Sequence, residues 1–223
     1  MLQLLHLCDS LFPVGAFAHS DGLETATVSG VVRDADSLQL WVDAVLDEAF
    51  GRLDGPIAWR ARVLIVDMRW DELAQLDAEA IAMRPAASSR RATCSMGQRL
   101  LDTWRRLHPD PRLDRLHELA SCGSIGPCFA VAFAAACGCA DVPPASALEA
   151  LAYTRLASTV SAAMRLAPVG QNDAHLVLSR TLARVPDIVA TITERDVAHE
   201  SFAPAMDIAA MSHQYLHSRL FRS

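Results

Sequence analysis

Apolar residues in this chain recur at helical spacing almost from end to end, and no stretch alternates long enough for a sheet strand. Leu38, Trp41, Val42, Val45, Leu46 and Ala49 fall at i, i+3, i+4, i+7, i+8 and i+11, which puts all of them on one face, with Asp36 placed to cap the start. A second helix is expected to open at Asp54, with Gly55 and Pro56 in its first turn and Ile57, Ala61, Leu64 and Ile65 inward. A third runs over 71–83. The spacing then predicts a long helix over about 86–107 with Met96, Leu100, Trp104 and Leu107 on one stripe. His108-Pro109-Asp110-Pro111 ends it, because the residue before a proline is pushed out of the helical region. Further helices are expected at about 113–122, 127–139, 144–166, 171–184, 187–201 and 204–217, the last three divided by Pro168, Pro186 and Pro204. The chain therefore reads as all-α, a single-domain bundle of about nine or ten helices over 1–223, without a repeat or an interdomain linker.

Charge and composition narrow the function. With 52% hydrophobic and 21% charged residues there is material for one sizeable core. A net charge of -6 leaves no general basic surface to neutralise phosphates, so no nucleic-acid partner is expected. All 20 cationic side chains are Arg. The absence of Lys excludes a Walker A loop, a Schiff base to a carbonyl or pyridoxal cofactor, and a kinase-type phosphate Lys. Cys8, Cys94, Cys122, Cys128, Cys137 and Cys139 form no C-x-x-C pair and no disulfide framework, which points to a reduced, cytoplasmic protein. The first seven residues lack a basic region, and neither a signal peptide nor an anchor is expected there. Residues 119–140 carry no charge, but Gly123, Gly126, Pro127, Gly138 and many Ala, Cys and Ser favour a helix buried between others over a membrane span.

Candidates for chemistry are few. His213 and His217 stand four apart on a predicted helix and so face one way, yet no third ligand accompanies them, and a solvated helix face accounts for the spacing. Cys137 and Cys139 offer two thiols to a soft ion, whereas their setting beside Phe133 and a run of Ala suits packing. No acid/base pair or activated thiol stands out, and no catalytic residue, cofactor or metal site is expected.

The chain ends in Arg219-Leu220-Phe221-Arg222-Ser223, two large apolar side chains between two cations where a terminus would ordinarily fray. Placing both side chains in an apolar groove is worth about 3–5 kcal/mol. Either a partner or the chain's own core supplies that groove.

The segment from Leu11 to Glu24, Leu-Phe-Pro-Val-Gly-Ala-Phe-Ala-His-Ser-Asp-Gly-Leu-Glu, reads as a Pro/Gly-punctuated turn leading into a helix, with Ser20 and Asp21 placed to satisfy the helix start. It closely resembles the L-P-V-G-A-F-S-Y-S-x-G-L-E signature of the urease accessory protein UreF family. Met96-Gly97-Gln98-Arg99-Leu100-Leu101 is similar to that family's mid-chain M-G-x-x-L-L helix. Arg165-Leu166-Ala167-Pro168-Val169-Gly170-Gln171 resembles its R-L-x-P-L-G-Q turn. Phe202-Ala203-Pro204, Asp207-Ile208, His213 and the final Ser-Arg-Leu-Phe-Arg-Ser resemble its C-terminal block. Ala18-His19 stands where Ser-Tyr is common, and Gln214 where Glu is common.

What the resemblance implies is a non-enzymatic helical accessory protein of urease maturation that forms a homodimer, binds UreD (UreH) and with it recruits the GTPase UreG. That assembly would deliver nickel to the urease apoprotein with GTP hydrolysis. The matched motifs nominate Phe17, Ser20, Glu24, Arg165, Gly170, Gln171 and His213 as partner-binding residues, together with Arg219, Leu220, Phe221, Arg222 and Ser223 in a docking tail over 218–223. At the Arg165–Gln171 corner, Pro168 ends one helix and Gly170 is expected in the left-handed conformation, presenting Arg165 and Gln171 to a partner or to free helix-end groups. The alternative function is a nickel-binding metallochaperone using Cys137, Cys139, His213 or His217, with a small cofactor-independent helical enzyme as a third class.

Overall fold

The computed structural model describes residues 1–195 and 197–222, with the side chain of Phe17 also outside the description. Every regular element among them is helical. The order is α1 (Leu2–Cys8), a 3-10 turn (Ala16–Ala18), α2 (Leu23–Val28), α3 (Ala35–Ala44), a π-helical segment (Val45–Asp54), α4 (Gly55–Val66) and α5 (Trp70–Ala82). Then come α6 (Ala87–Leu107), α7 (Pro111–Ser121), α8 (Phe129–Cys139), α9 (Pro144–Leu166), α10 (Gln171–Leu182), α11 (Val185–Arg195), α12 (Pro204–Ser212) and a second 3-10 turn (His213–Tyr215). The all-α bundle expected from periodicity is what forms. No described helix is long and apolar enough to cross a membrane, and the uncharged stretch 119–140 instead supplies α8.

Helix α8 is the centre of the packing. Its residues from Ala130 to Gly138 are all buried, and α4 and α6 flank it most closely, with α7 and α9 also against it. Small side chains allow that crowding, which is tightest at Gly97 of α6: a Cβ there would stand 1.9 Å from the Pro127 carbonyl oxygen. A helix buried on every side cannot hand its first N–H groups to water. Here other helices satisfy them. The carboxylate of Asp77, fully buried on α5, accepts from the Gly126 and Cys128 N–H groups at 2.7 Å each, and Thr93 Oγ1 on α6 accepts from Phe129 N at 3.0 Å.

Several boundaries differ from expectation for identifiable reasons. Asp34, not Asp36, caps α3: Ser37 N donates to its carboxylate at 2.9 Å while the Ser37 hydroxyl receives the Asp34 N–H at 3.1 Å, a reciprocal capping box. No helix begins afresh at Asp54. Helices α3 and α4 are joined through the π segment, and Asp54 itself is helical at φ -66° and ψ -37°. Pro56 has no N–H for the carbonyl of Arg52, and that carbonyl is met instead by Glu200 N at 2.9 Å. The inward stripe of α6 is Ala92, Thr93, Gly97, Leu100, Leu101 and Trp104, so Met96 is half-buried and Leu107 exposed. Pro186 lies in the first turn of α11 rather than between helices, and α1 had no periodic signal to announce it.

Candidate partner-docking corner

The Pro/Gly turn, the end of α9 and the chain's last residues meet at one corner. Glu24, in the first turn of α2, is 4% exposed, and both of its oxygens are engaged. Oε1 accepts from Leu220 N at 2.5 Å, Oε2 accepts from Phe221 N at 3.2 Å, and His213 Nε2 lies 2.7 Å from Oε2. Arg222 N continues the strap by donating to Ala18 O at 2.8 Å. Burial alone raises the Glu24 pKa, but the hydrogen bonds from Leu220, His213 and Phe221 outweigh it and hold the carboxyl below its ordinary range.

The tail bends at Leu220 and Phe221, and the two side chains meet different surroundings. That splits the expected apolar pair. Phe221 turns in, 5% exposed, with the Arg165 guanidinium carbon 4.3 Å from its ring centroid, whereas Leu220 stays 63% exposed. Of the two possibilities left open by the sequence, the chain's own core supplies the groove for Phe221, while Leu220 remains exposed. Arg219 and Arg222 are exposed. Ser223 and the Phe17 side chain, both nominated from sequence, lie outside the described residues.

The start of α2 also departs from expectation. Its N-cap is Gly22, at φ 88°, with no side-chain cap, and the Ser20 carbonyl rather than its hydroxyl receives Leu23 N at 3.0 Å. Gly22 is needed twice over. A positive φ disfavours other residues, and a Cβ at this position would meet the Ala210 nitrogen at 2.9 Å, so α12 rests directly on the turn. Ser20 is buried, and with His19, Asp21, Arg84 and Arg155 it borders a small pocket of about 80 Å³. Asp21 pairs with Arg155 at 2.5 Å and Arg84 with Asp54. Burial lowers the His19 pKa, Asp21 opposes that, and Arg222 and Arg99 reinforce the lowering.

At the α9–α10 turn, Gly170 is extended at φ -63° and ψ 152°, not left-handed, because Val169 has already turned back to the carbonyl of Ala167. Gly170 and Gln171 are on the surface and Arg165 is committed to Phe221, so the three residues share a turn but not one role. His213 is not on a solvated face: the helix gives way to a 3-10 turn at this residue, it is 2% exposed against Glu24, and His217 lies beyond the turn. Cys137 is buried and its thiol pKa is driven well up by burial, while burial pushes Cys139 up to about 12 and Cys8 up to about 11. No group of three or more His, Cys, Asp or Glu side chains among the described residues is arranged to hold a metal ion.

Sequence reasoning missed Asp77, Arg91 and Arg99. Arg99 reaches across to the turn, where its guanidinium occupies the space a Cβ at Gly15 would need. Arg91 had a legible signal: Arg90-Arg91 stands near the start of α6, where the helix dipole disfavours cations and no acidic residue occupies the first turn.

Among the described residues, an all-helical body carries a terminal segment strapped across the Pro/Gly turn by backbone hydrogen bonds to Glu24 and Ala18. The UreF family model matches residues 32–182, more than half of the chain. The chain is 34% identical over 217 residues to the urease accessory protein UreF of Azorhizobium caulinodans, covering 95% of this chain and 90% of that protein. It is 35% identical to UreF of Xanthobacter autotrophicus, over all of this chain and 91% of that one, and 30% identical to UreF of Lachnoclostridium phytofermentans, over 100% and 98%. The chain belongs to the UreF family of urease accessory proteins.

Proposed function

We propose that this protein is a non-catalytic scaffold of urease maturation, acting in the cytoplasm as a homodimer. In this reading it binds UreD (UreH), the pair recruits the GTPase UreG, and the assembly supports GTP-dependent nickel insertion into the urease apoprotein. The whole chain acts as one unit, with 218–223 as its docking tail. The observation that carries the proposal is the division of labour at Glu24. Its carboxylate holds the tail by the Leu220 and Phe221 N–H groups, which leaves Leu220 and Arg219 facing outward at a fixed place on the surface. A pre-ordered tail costs less entropy to bind than a frayed one. Cys137 and Cys139 give the metallochaperone alternative less support, since buried thiols with raised pKa values are poor sources of the thiolate a metal requires.

The test is co-purification with UreD, then with UreD and UreG, using Leu220→Ala. The expected result is retention on UreD weakened by about tenfold or more, as for loss of a central apolar anchor, with unchanged melting. Full retention by the Leu220→Ala protein would remove the tail from the interface.

A further inference from the structure

Beside the strapped tail runs an open groove of about 450 Å³ between the start of α6 and the segment from α12 to Arg222. Arg91, Arg219 and Arg222 line it, and no Asp or Glu does. All three are exposed, and none pairs with a carboxylate among the described residues, although nine other arginines of this acidic chain do. Glu24 lies close by through His213, but both its oxygens are already engaged by the tail and His213. The N-terminus of α6 opens on the same space. Ala86 caps it without a side chain, Ser88 lies on the groove wall, and the first turn carries no acidic residue. Three guanidinium groups and a helix N-terminus thus converge on one volume with no anion from the described residues to meet them.

We propose that this groove binds an acidic peptide segment of a partner protein, with carboxylates on Arg91, Arg219 and Arg222 and an apolar side chain between them. The proposal rests on the scaffold reading above and names the chemistry of the partner at that surface. A peptide fits better than a free anion because the same groove exposes Met211 at 40% and Tyr215 at 82%, so it offers apolar as well as cationic contacts. The charge contrast adds orientation. With a net charge of -6, most of this chain repels an acidic partner, and a local cationic groove selects the approach.

The experiment uses the full-length protein alone and reads anisotropy of a fluorescein-labelled Asp-Glu-Leu-Asp-Glu peptide, with Asn-Gln-Leu-Asn-Gln as its uncharged counterpart. The expected result is saturable binding of the acidic peptide that weakens with added salt and falls about tenfold or more in Arg91→Gln/Arg219→Gln, with an unchanged circular dichroism spectrum. Arg106→Gln, an exposed arginine elsewhere, should leave it unchanged. Equal binding of the uncharged peptide, no response to the double substitution, or an equal loss in Arg106→Gln each overturns the proposal. Displacement by inorganic phosphate at matched ionic strength and sub-millimolar concentration overturns the peptide assignment in favour of a small-anion site. None of these outcomes needs UreD or UreG, so the groove can fail while tail-dependent co-purification stands, and the reverse.

Discussion

A single buried carboxylate, that of Glu24, accepts two backbone hydrogen bonds from the tail. Glu24 carries its charge at 4% exposure because two backbone N–H groups and His213 surround it, so the interaction that orders the tail is the one that makes burial of the charge tolerable. Its pKa, raised by burial but lowered further by those bonds, lies in the folded state below that of an unfolded chain. The stabilisation is therefore complete above the ordinary carboxylate range and is lost as pH falls through the depressed folded value. We expect the Leu220 and Phe221 amides to be protected from hydrogen exchange at neutral pH and to lose protection on acidification below the usual glutamate range. Glu24→Gln keeps one acceptor oxygen but gives up the charge, and should weaken the protection of both amides at every pH with a loss of about 1–3 kcal/mol in local stability. Protection at neutral pH equal to that of the unsubstituted protein would mean that Phe221, and not Glu24, holds the tail.

At the scale of elements, α8 shows how a helix with almost no polar face is accommodated. Packing explains its sides, while its N-terminal end depends on Asp77 of α5 and Thr93 of α6. Asp77→Ala would leave the N–H groups of Gly126 and Cys128 buried without acceptors. The expected cost is about 3 kcal/mol, or a melting temperature lower by roughly 6–12 °C for a chain of this size. Asp77→Asn, with one acceptor oxygen left, should fall between the two in a thermal melt. Equal melting of Asp77→Ala and the unsubstituted protein would show that water replaces the carboxylate. The π segment makes a related point. It carries the chain through Gly55-Pro56 without a break, and the Arg52 carbonyl freed by the missing Pro56 N–H draws in Glu200, tying the α11–α12 connection to the α3–α4 rod.

For the whole molecule, we expect the tail to open without unfolding the core, although Phe221 joins the core cluster. The core is a continuous apolar cluster spanning most helices, whereas the tail adds one ring, its cation–π contact and three backbone hydrogen bonds at the periphery. Deleting residues 219–223 should leave the far-UV circular dichroism intact and lower the melting temperature less than Asp77→Ala does, because local contacts open without global unfolding. The same truncation should abolish capture by UreD. Loss of helicity on truncation would place the tail inside the cooperative unit and remove the separation argued here.

The sequence by itself determined the helical class, the approximate ends of α5 to α10, and the set of segments that belong together, because periodicity, Pro placement and local motifs are properties of neighbouring residues. It also pointed to the tail, through two apolar side chains between two cations, and to Glu24 and His213 as members of similar motifs. What those residues do was decided by the tertiary structure. Glu24 meets Leu220 across 196 positions, and Phe221 turns inward only because Arg165 and the core are there to receive it. Asp77 reads in sequence as one more helix-surface acid and becomes a cap for a helix that begins 52 positions later. Cis-acting signals cannot carry such information: the free energy of a buried charge or an unsatisfied N–H depends on what surrounds it in space, and that is set only when distant segments pack.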